Sequence, residues 1–141
     1  MSLQVQVLTP NKMVWDQPVD EIILPGLSGN LGILTSHAPL IAVLDVGIMR
    51  VRVPGNSKWV SILLMGGFAE IQSNVVTILA NEAEHPEEID ITAAKNDLEK
   101  SINLLNTVKN AEDKVVAMQT LKEAKMRIKA ALLTQTSSTS N

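Results

Sequence analysis

The sequence contains no cysteine among its 141 residues. This absence excludes disulfide bridges, thiolate zinc sites and a cysteine nucleophile, so packing has to stabilise the fold. Aromatic side chains are scarce as well, with two Trp, one Phe and no Tyr. No apolar run approaches the roughly 20 residues of a membrane-spanning helix, and the N-terminal stretch alternates apolar and polar residues without a signal core. We therefore expect folded structure from the start and contact with a membrane only through partners.

Positive charge is also limited. The chain carries 12 Lys and Arg against 15 Asp and Glu, which gives a formal net charge of -3. A nucleic-acid-binding domain normally has a basic surface, and so does a domain that binds an anionic membrane directly. We expect neither nucleic acid nor lipid as a direct partner.

Glycine and proline are confined to the first part of the chain. All seven Gly and all six Pro lie at or before Pro86, and residues 87–141 contain neither. Because Gly and Pro favour turns and are costly inside helices, this asymmetry predicts a turn-rich domain followed by a helical one. We place the boundary at residues 84–88, with the first domain over 1–86, the helical domain over 87–133 and a disordered Ser/Thr-rich tail over 134–141.

Short apolar runs separated by turn signals fill the first domain. Apolar and polar residues alternate over residues 3–7, the run PGN at 54–56 is a strong hairpin signal, and Ser73-Asn74 joins the last two runs. The sequence lacks the helices that crossovers between parallel strands would need. It therefore predicts an all-β antiparallel sandwich or barrel of short strands.

The second domain has helical periodicity. Its first helix begins after Asp90 as N-cap and carries apolar residues three or four positions apart, at Ile91, Ala94, Leu98, Ile102 and Leu105. A second helix starts near Asn110, with its apolar positions at Val115, Met118, Leu121, Ala124, Ile128 and Leu132. Together they predict an α-helical hairpin that buries few apolar side chains and therefore depends on docking.

Three features suggest chemistry, and each has a simpler explanation. The glycine-rich segment 26–32 lacks the Gly-Lys-Ser/Thr ending of a phosphate-binding loop and the helix after it, which favours a turn between strands. Ser36 and His37 could indicate a hydrolase, but neighbours along an extended chain point to opposite faces, which favours His37 as a turn or interface residue. Two His, no Cys and an acidic cluster over 82–90 without calcium-loop spacing argue against a metal site.

Basic residues on the second helix allow two interpretations. Lys122, Lys125 and Lys129 form one stripe beside the apolar arc, and Arg127 lies on its other flank. They are either solvated side chains with buried stems or a surface that binds an acidic partner. The residues alone leave both open.

Several motifs in a fixed order resemble the epsilon subunit of F-type ATP synthases. The motifs are VDEIILPG at 19–26, GNLGIL at 29–34, HAPL at 37–40, Gly47 and GGFAE at 66–70. The similarity extends from about Leu3 to Leu133. VWD at 14–16 and LMGGF at 64–68 are most similar to the cyanobacterial and plastid branch.

The resemblance implies a non-catalytic subunit with two functions. A sandwich of about ten strands would bind the gamma subunit and the ring of c subunits, and would couple proton-driven rotation to ATP synthesis in the catalytic head. The helical hairpin would restrain ATP hydrolysis by facing the beta subunits, with the alpha subunits as further candidates. The location implied is the thylakoid membrane, peripherally, on the stromal or cyanobacterial cytoplasmic side.

The resemblance also assigns residues. Asn30, Leu31 and His37 become the expected rotor contacts, and the expected regulatory contacts with the beta subunits are Lys122, Lys125, Arg127 and Lys129. Some bacterial relatives bind ATP through a motif whose Arg is replaced here by Ala93, which argues against nucleotide binding. We expect no cofactor, metal or catalytic residue in this chain. A generic adaptor domain and a hydrolase that uses Ser36 or His37 are the alternative hypotheses.

Overall fold

The structure is a computed structural model that describes residues 2–55 and 58–138. The chain divides into two compact units, Met1–Glu84 and His85–Asn141. Strands form the first unit and helices the second. None of the described helices combines the length and the apolar character needed to cross a bilayer.

The described residues of the first unit form eight strands. They are β1 (Leu3–Leu8), β2 (Met13–Val19), β3 (Glu21–Gly26), β4 (Gly29–Ile33), β5 (Leu40–Arg52), β6 (Trp59–Gln72), β7 (Val75–Ala80) and β8 (Ala83–Glu84). Their order in the sheet is β2-β1-β7-β6-β5-β3-β4, with β8 paired to β6. The predicted β-sandwich is confirmed.

Alternating burial along the strands defines the core. In β1 the side chains of Leu3, Val5 and Val7 are buried, while Gln4 and Gln6 lie on the other face. Because successive side chains of a strand point to opposite faces, this pattern places one face of β1 against the core. The core cluster also contains Ile22, Leu24, Ile33, Met49, Ile62, Leu64, Ile71 and Ile78.

Two details of the sheet differ from the sequence-based prediction. The described strands number eight rather than about ten, because apolar runs predicted as separate strands merge into β5 and β6, of 13 and 14 residues. The register between the two long strands is constant from Leu40↔Ile71 to Arg52↔Trp59, and Gly66 and Gly67, which have positive φ, lie inside β6 without ending it. In addition, β1 pairs with β7 in parallel, so the sandwich is not entirely antiparallel.

The second unit contains a 3-10 turn at Pro86–Glu88 and two α-helices, α1 (Ile91–Thr107) and α2 (Ala111–Ser138). The helices pack against each other as the predicted hairpin. Asp90 is the N-cap of α1, as predicted, and its carboxylate accepts a hydrogen bond from the Ala93 amide at 3.2 Å. The Asn110 side chain accepts a hydrogen bond from the Asp113 amide at 2.8 Å, which supports the start of α2.

Small side chains occupy the buried positions of the hairpin, so its predicted apolar seams are partly wrong. Ile102 in α1 and Met118 in α2 belong to the predicted seams but are exposed. Ala94 and Ala124 of the predicted seams are buried, and the other buried side chains among the described residues of the two helices are Ser101, Ala117, Ala130 and Ala131. Apolar periodicity identifies the larger side chains, but the distance between packed helices depends on the size of the residues at the contact.

The backbone of α2 continues to Ser138. Residues 134–138 are therefore helical, and the predicted disordered tail is wrong over that range. The Thr134 hydroxyl donates to main-chain carbonyls of the preceding turn, with Ala131 at 2.9 Å, which satisfies a polar group that would otherwise compete with the helix. Residues 139–141 of the predicted tail lie outside the described residues.

Candidate functional site

The glycine-rich segment forms a tight hairpin between β3 and β4. Gly26 pairs with Gly29, and a Cβ atom on Gly26 would lie 2.6 Å from the Gly29 carbonyl oxygen, so this position requires glycine. Asn30 is exposed beside the turn, whereas Leu31 is partly buried and packs against the sandwich core. Asn30 can therefore contact a partner without rearrangement, but Leu31 offers only part of its side chain.

The same turn is tied to β5. The Leu27 amide donates to the Val43 carbonyl at 3.0 Å. Between the turn and the strand lies an open groove of about 460 Å³, which is lined by residues 26–31 together with Ala42 and Val43. A partner segment that reaches Asn30 would therefore also meet apolar side chains.

His37 lies in the loop between β4 and β5. Its side chain is half-buried, and the ring Nδ1 is 2.7 Å from the Ala38 carbonyl oxygen. Ser36 has a φ of 66° and donates its amide to the Asn74 side chain at 2.6 Å. Among the described hydrogen bonds, the ring of His37 pairs with main chain rather than with the Ser36 hydroxyl. This geometry fits a structured contact loop and does not resemble an activated serine.

The structure does not bring all three predicted rotor residues together in one contact. The glycine turn lies beside Val43, while the loop that carries His37 adjoins the Ser73-Asn74 turn next to Leu40. Three residues of β5 separate these two points, a distance of about 10 Å along a strand. The predicted contacts therefore occupy two neighbouring points along the start of β5.

An exposed apolar row crosses the strands at Val43, the point beside the glycine turn. Val43 pairs with Phe68, which in turn pairs with Leu79, and the bond between Leu27 and Val43 extends the row to the glycine turn. We call Leu27, Val43, Phe68 and Leu79 the apolar row. Their exposed fractions lie between 49% and 64%, and Ile41 on the same face of β5 is exposed as well.

Sequence reasoning missed the apolar row. Residues 40–44 are apolar at every position, which indicates a strand without showing that one face remains uncovered. The sequence did contain an indication of the row. A strand of a small sandwich that has apolar side chains on both faces needs a second contact surface for the face turned away from the core. The apolar row is large enough to mark an interaction site on a small protein.

The predicted basic stripe has two different parts. Lys122, Lys125 and Lys129 are exposed on α2 at spacings of three and four residues. Arg127 is half-buried, and its guanidinium lies 3.7 Å from the Asp97 carboxylate of α1. Arg127 therefore joins the two helices, whereas the three lysines lie at exposed positions.

The segment that resembles a nucleotide motif has a structural use here. The carboxylate of Asp90 is engaged at the N-terminus of α1, and Ala93 supplies only its amide to that contact. Within residues 2–55 and 58–138 there is no group of three or more His, Asp or Glu arranged to hold a metal ion.

Comparison with known proteins decides between the hypotheses. A family model described as ATP synthase, Delta/Epsilon chain, beta-sandwich domain matches residues 2–86. The chloroplastic ATP synthase epsilon chain of Porphyra purpurea is 45% identical over 131 residues, which cover 93% of this chain and 96% of the relative. The chain belongs to the epsilon subunit family of ATP synthases. Membership makes this epsilon chain a subunit of a larger enzyme, which excludes the hydrolase and generic adaptor hypotheses.

The relatives also indicate the branch. The ATP synthase epsilon chain of Nostoc punctiforme is 46% identical over 134 residues and covers 93% of this epsilon chain and 97% of the relative. The cyanelle epsilon chain of Cyanophora paradoxa is 46% identical over 130 residues, covering 92% of this chain and 97% of the relative. The predicted plastid or cyanobacterial origin is therefore confirmed.

Solved structures show the same fold. A chain in the Euglena gracilis mitochondrial ATP synthase structure, which comprises OSCP, F1 and the c-ring, superposes with a TM-score of 0.80 at 24% identity and covers 93% of this chain and 81% of that chain. A chain in the central stalk and c-ring structure of Tetrahymena thermophila mitochondrial ATP synthase gives a TM-score of 0.69 at 17% identity, covering 93% and 97%. At these identities the similarity concerns the fold.

Proposed function

We propose that this epsilon chain works in the central stalk of an F-type ATP synthase of plastid or cyanobacterial thylakoids, on the stromal or cytoplasmic side. Its sandwich binds the gamma subunit and the c-ring and couples their rotation to ATP synthesis. The observation that carries this proposal is the apolar row. Membership in the epsilon family and the stalk and c-ring assemblies named for the structural relatives support it.

The apolar row has the composition of an interface core. Each square ångström of apolar surface removed from water contributes about 25 cal/mol, so covering four large side chains contributes several kcal/mol to binding. The row begins at Leu27 in the glycine turn, next to Asn30, and His37 lies at the other end of the same stretch of β5. In this proposal gamma covers the apolar row. The polar or partly buried residues Asn30, Leu31 and His37 form the edge of the surface that contacts the rotor.

A charge placed in the apolar row tests the rotor assignment. Phe68→Glu should weaken binding to purified gamma at least about tenfold, because a carboxylate would lose its hydration in an apolar contact. Trp59→Glu is the control, since Trp59 is an exposed aromatic residue in the same strand and lies outside the apolar row. Wild-type affinity of Phe68→Glu, with unchanged thermal unfolding, would contradict the assignment.

We also propose that the helical hairpin restrains ATP hydrolysis through a basic surface that faces acidic segments of the beta subunits, with the alpha subunits as further candidates. The exposed positions of Lys122, Lys125 and Lys129 support this role. Arg127 contributes differently, because its contact with Asp97 stabilises the hairpin that presents the lysines.

Two variants separate these contributions. Replacing Lys122, Lys125 and Lys129 with Gln should weaken the inhibition of ATP hydrolysis by an epsilon-depleted catalytic head, while the hairpin stays folded. The inhibition that remains should depend less on salt concentration. Arg127→Gln should relieve inhibition only as far as it loosens the hairpin, which is measured as faster hydrogen exchange of the hairpin amides. Deletion of residues 89–141 should abolish inhibition and leave assembly intact. Full inhibition by the triple variant would show that the lysines are only a solvated face.

A further inference from the structure

Asn74 occupies an unusual position in the hairpin between β6 and β7. Ser73 and Asn74 form a two-residue turn between the paired residues Gln72 and Val75, with φ values of 53° and 64°. Turns with positive φ at both central positions favour glycine at the second one, because glycine has no Cβ atom to strain. Asn is among the few other residues that tolerate positive φ, so the turn accommodates Asn74 but does not by itself use the amide group of its side chain.

The side chain of Asn74 reaches out of its own hairpin. Its Oδ1 atom accepts a hydrogen bond from the Ser36 amide at 2.6 Å. Its main-chain oxygen accepts a hydrogen bond from the Gln4 amide at 2.8 Å. Asn74 thus connects three parts of the sandwich: the start of β1, the turn between β6 and β7, and the loop that carries His37.

The loop around this point lies outside the strand ladder. Residues 34–39 lie between the end of β4 at Ile33 and the start of β5 at Leu40, so they have no place in the strand ladder. Ser36 adopts a φ of 66°, which a non-glycine residue adopts only where its surroundings hold it. Ser36, which donates the hydrogen bond to Asn74, directly precedes His37.

We propose that Asn74 is a positioning residue, which holds the loop of residues 34–39 in the conformation that presents His37 to the rotor. This inference rests on the proposed rotor function. A loop that is ordered before binding avoids an entropic cost that a mobile loop would pay on contact. Asn74 does not itself contact the partner in this role, and it acts through the main chain of Ser36.

Three single substitutions in the full-length chain distinguish the effect of losing the Asn74 side-chain acceptor from the effect of changing the turn. Asn74→Gly keeps a residue suited to positive φ and removes the acceptor, while Asn74→Asp keeps an oxygen at the same place. Ser73→Gly alters the other positive-φ position of the turn without touching the bond to Ser36. Each variant is compared with wild type by amide hydrogen exchange at Ser36 and by its Kd for a purified subcomplex of gamma and the c-ring.

Only the variant that lacks the acceptor for the Ser36 amide should differ from wild type. Asn74→Gly should lose protection at the Ser36 amide and bind the subcomplex about fivefold more weakly, a change of about 1 kcal/mol. Asn74→Asp and Ser73→Gly should retain both properties. A loss of binding in Asn74→Gly that is absent in Asn74→Asp supports a positioning role, because Gly and Asp both tolerate positive φ and only Asp keeps the acceptor for the Ser36 amide.

Two results would overturn the inference, and a third concerns the proposed function. Unchanged binding by Asn74→Gly despite lost protection at Ser36 would show that the loop does not need this bond. Equal losses in Asn74→Gly and Ser73→Gly would assign the effect to the turn as a whole. If wild type itself fails to bind the subcomplex, the proposed rotor function is wrong. The role of Asn74 in presenting His37 to the rotor is then wrong as well. Hydrogen exchange at Ser36 still shows whether Asn74 orders the loop.

Discussion

Arg127 in α2 and Asp97 in α1 form an ion pair across the hairpin, with 3.7 Å between Nη1 and Oδ2. The side chain of Arg127 is 26% exposed and that of Asp97 is 58% exposed. The pair is therefore open to solvent on the acidic side, where water and salt weaken its attraction. It joins the two helices without being a major source of their stability.

Asp97→Asn tests whether this ion pair contributes little to the stability of the hairpin. The substitution should lower the free energy of unfolding of the hairpin by less than about 1 kcal/mol, and the difference from wild type should shrink in high salt. Hydrogen exchange of the α1 and α2 amides, measured at low and high salt, checks both statements. A large loss that salt does not alter would mean that the pair is shielded from solvent and contributes more than its exposure indicates.

Gly67 lies inside β6 and should not tolerate a side chain. Its φ is +140°, and a Cβ atom would overlap the Leu79 carbonyl oxygen and lie 2.8 Å from the Ala80 Cα. Gly67→Ala should therefore destabilise the sandwich by about 2 to 4 kcal/mol. Gly32→Ala is the control, because a Cβ atom there meets nothing within 4 Å. Equal unfolding midpoints for the two variants in urea would contradict this account.

The cap at Asp90 should support the first turn of α1. Asp90→Ala removes the acceptor of the Ala93 amide and should cost about 1 kcal/mol, which would appear as faster exchange of the amides of the first turn. Asp90→Ser keeps an acceptor at the N-cap and should behave nearly as wild type. If Asp90→Ala exchanges at the wild-type rate, solvent satisfies the amide equally well.

The small residues buried in the hairpin should resist enlargement. Ala124→Leu adds volume at a buried position of α2 and should lower hairpin stability by about 1 to 3 kcal/mol through overpacking. Val116→Leu adds volume at an exposed position of the same helix and should change stability by less than about 0.5 kcal/mol. Thermal unfolding followed by circular dichroism distinguishes them, and a stabilising Ala124→Leu would reveal unused space at the contact.

The order of elements follows from local chemistry, and the sequence predicted it well. Alternation over residues 3–7 and the turn at Ser73-Asn74 have the periodicity of strands and hairpins. The N-cap at Asp90 follows from the short-range geometry of a helix start. The merging of strands into β5 and β6 was not predictable, because Gly66-Gly67 resembles a turn until the pairing of β6 with β5 is known.

The candidate site was predicted in part. Motif similarity pointed to Asn30, Leu31 and His37, but their separation along β5 and the partial burial of Leu31 come from the sandwich. The apolar row was missed for the same reason, since Val43, Phe68 and Leu79 meet only when three strands pair in register.

Interactions between neighbours along the chain therefore established the division into a turn-rich sandwich and a helical hairpin. Gly, Pro and capping residues act within a few positions of themselves, so their consequences can be recognised in a single sequence. Contacts between distant residues needed the folded chain. The apolar row, the hydrogen bond from the Ser36 amide to Asn74 and the pairing of Arg127 with Asp97 join segments that only strand register and helix packing bring together.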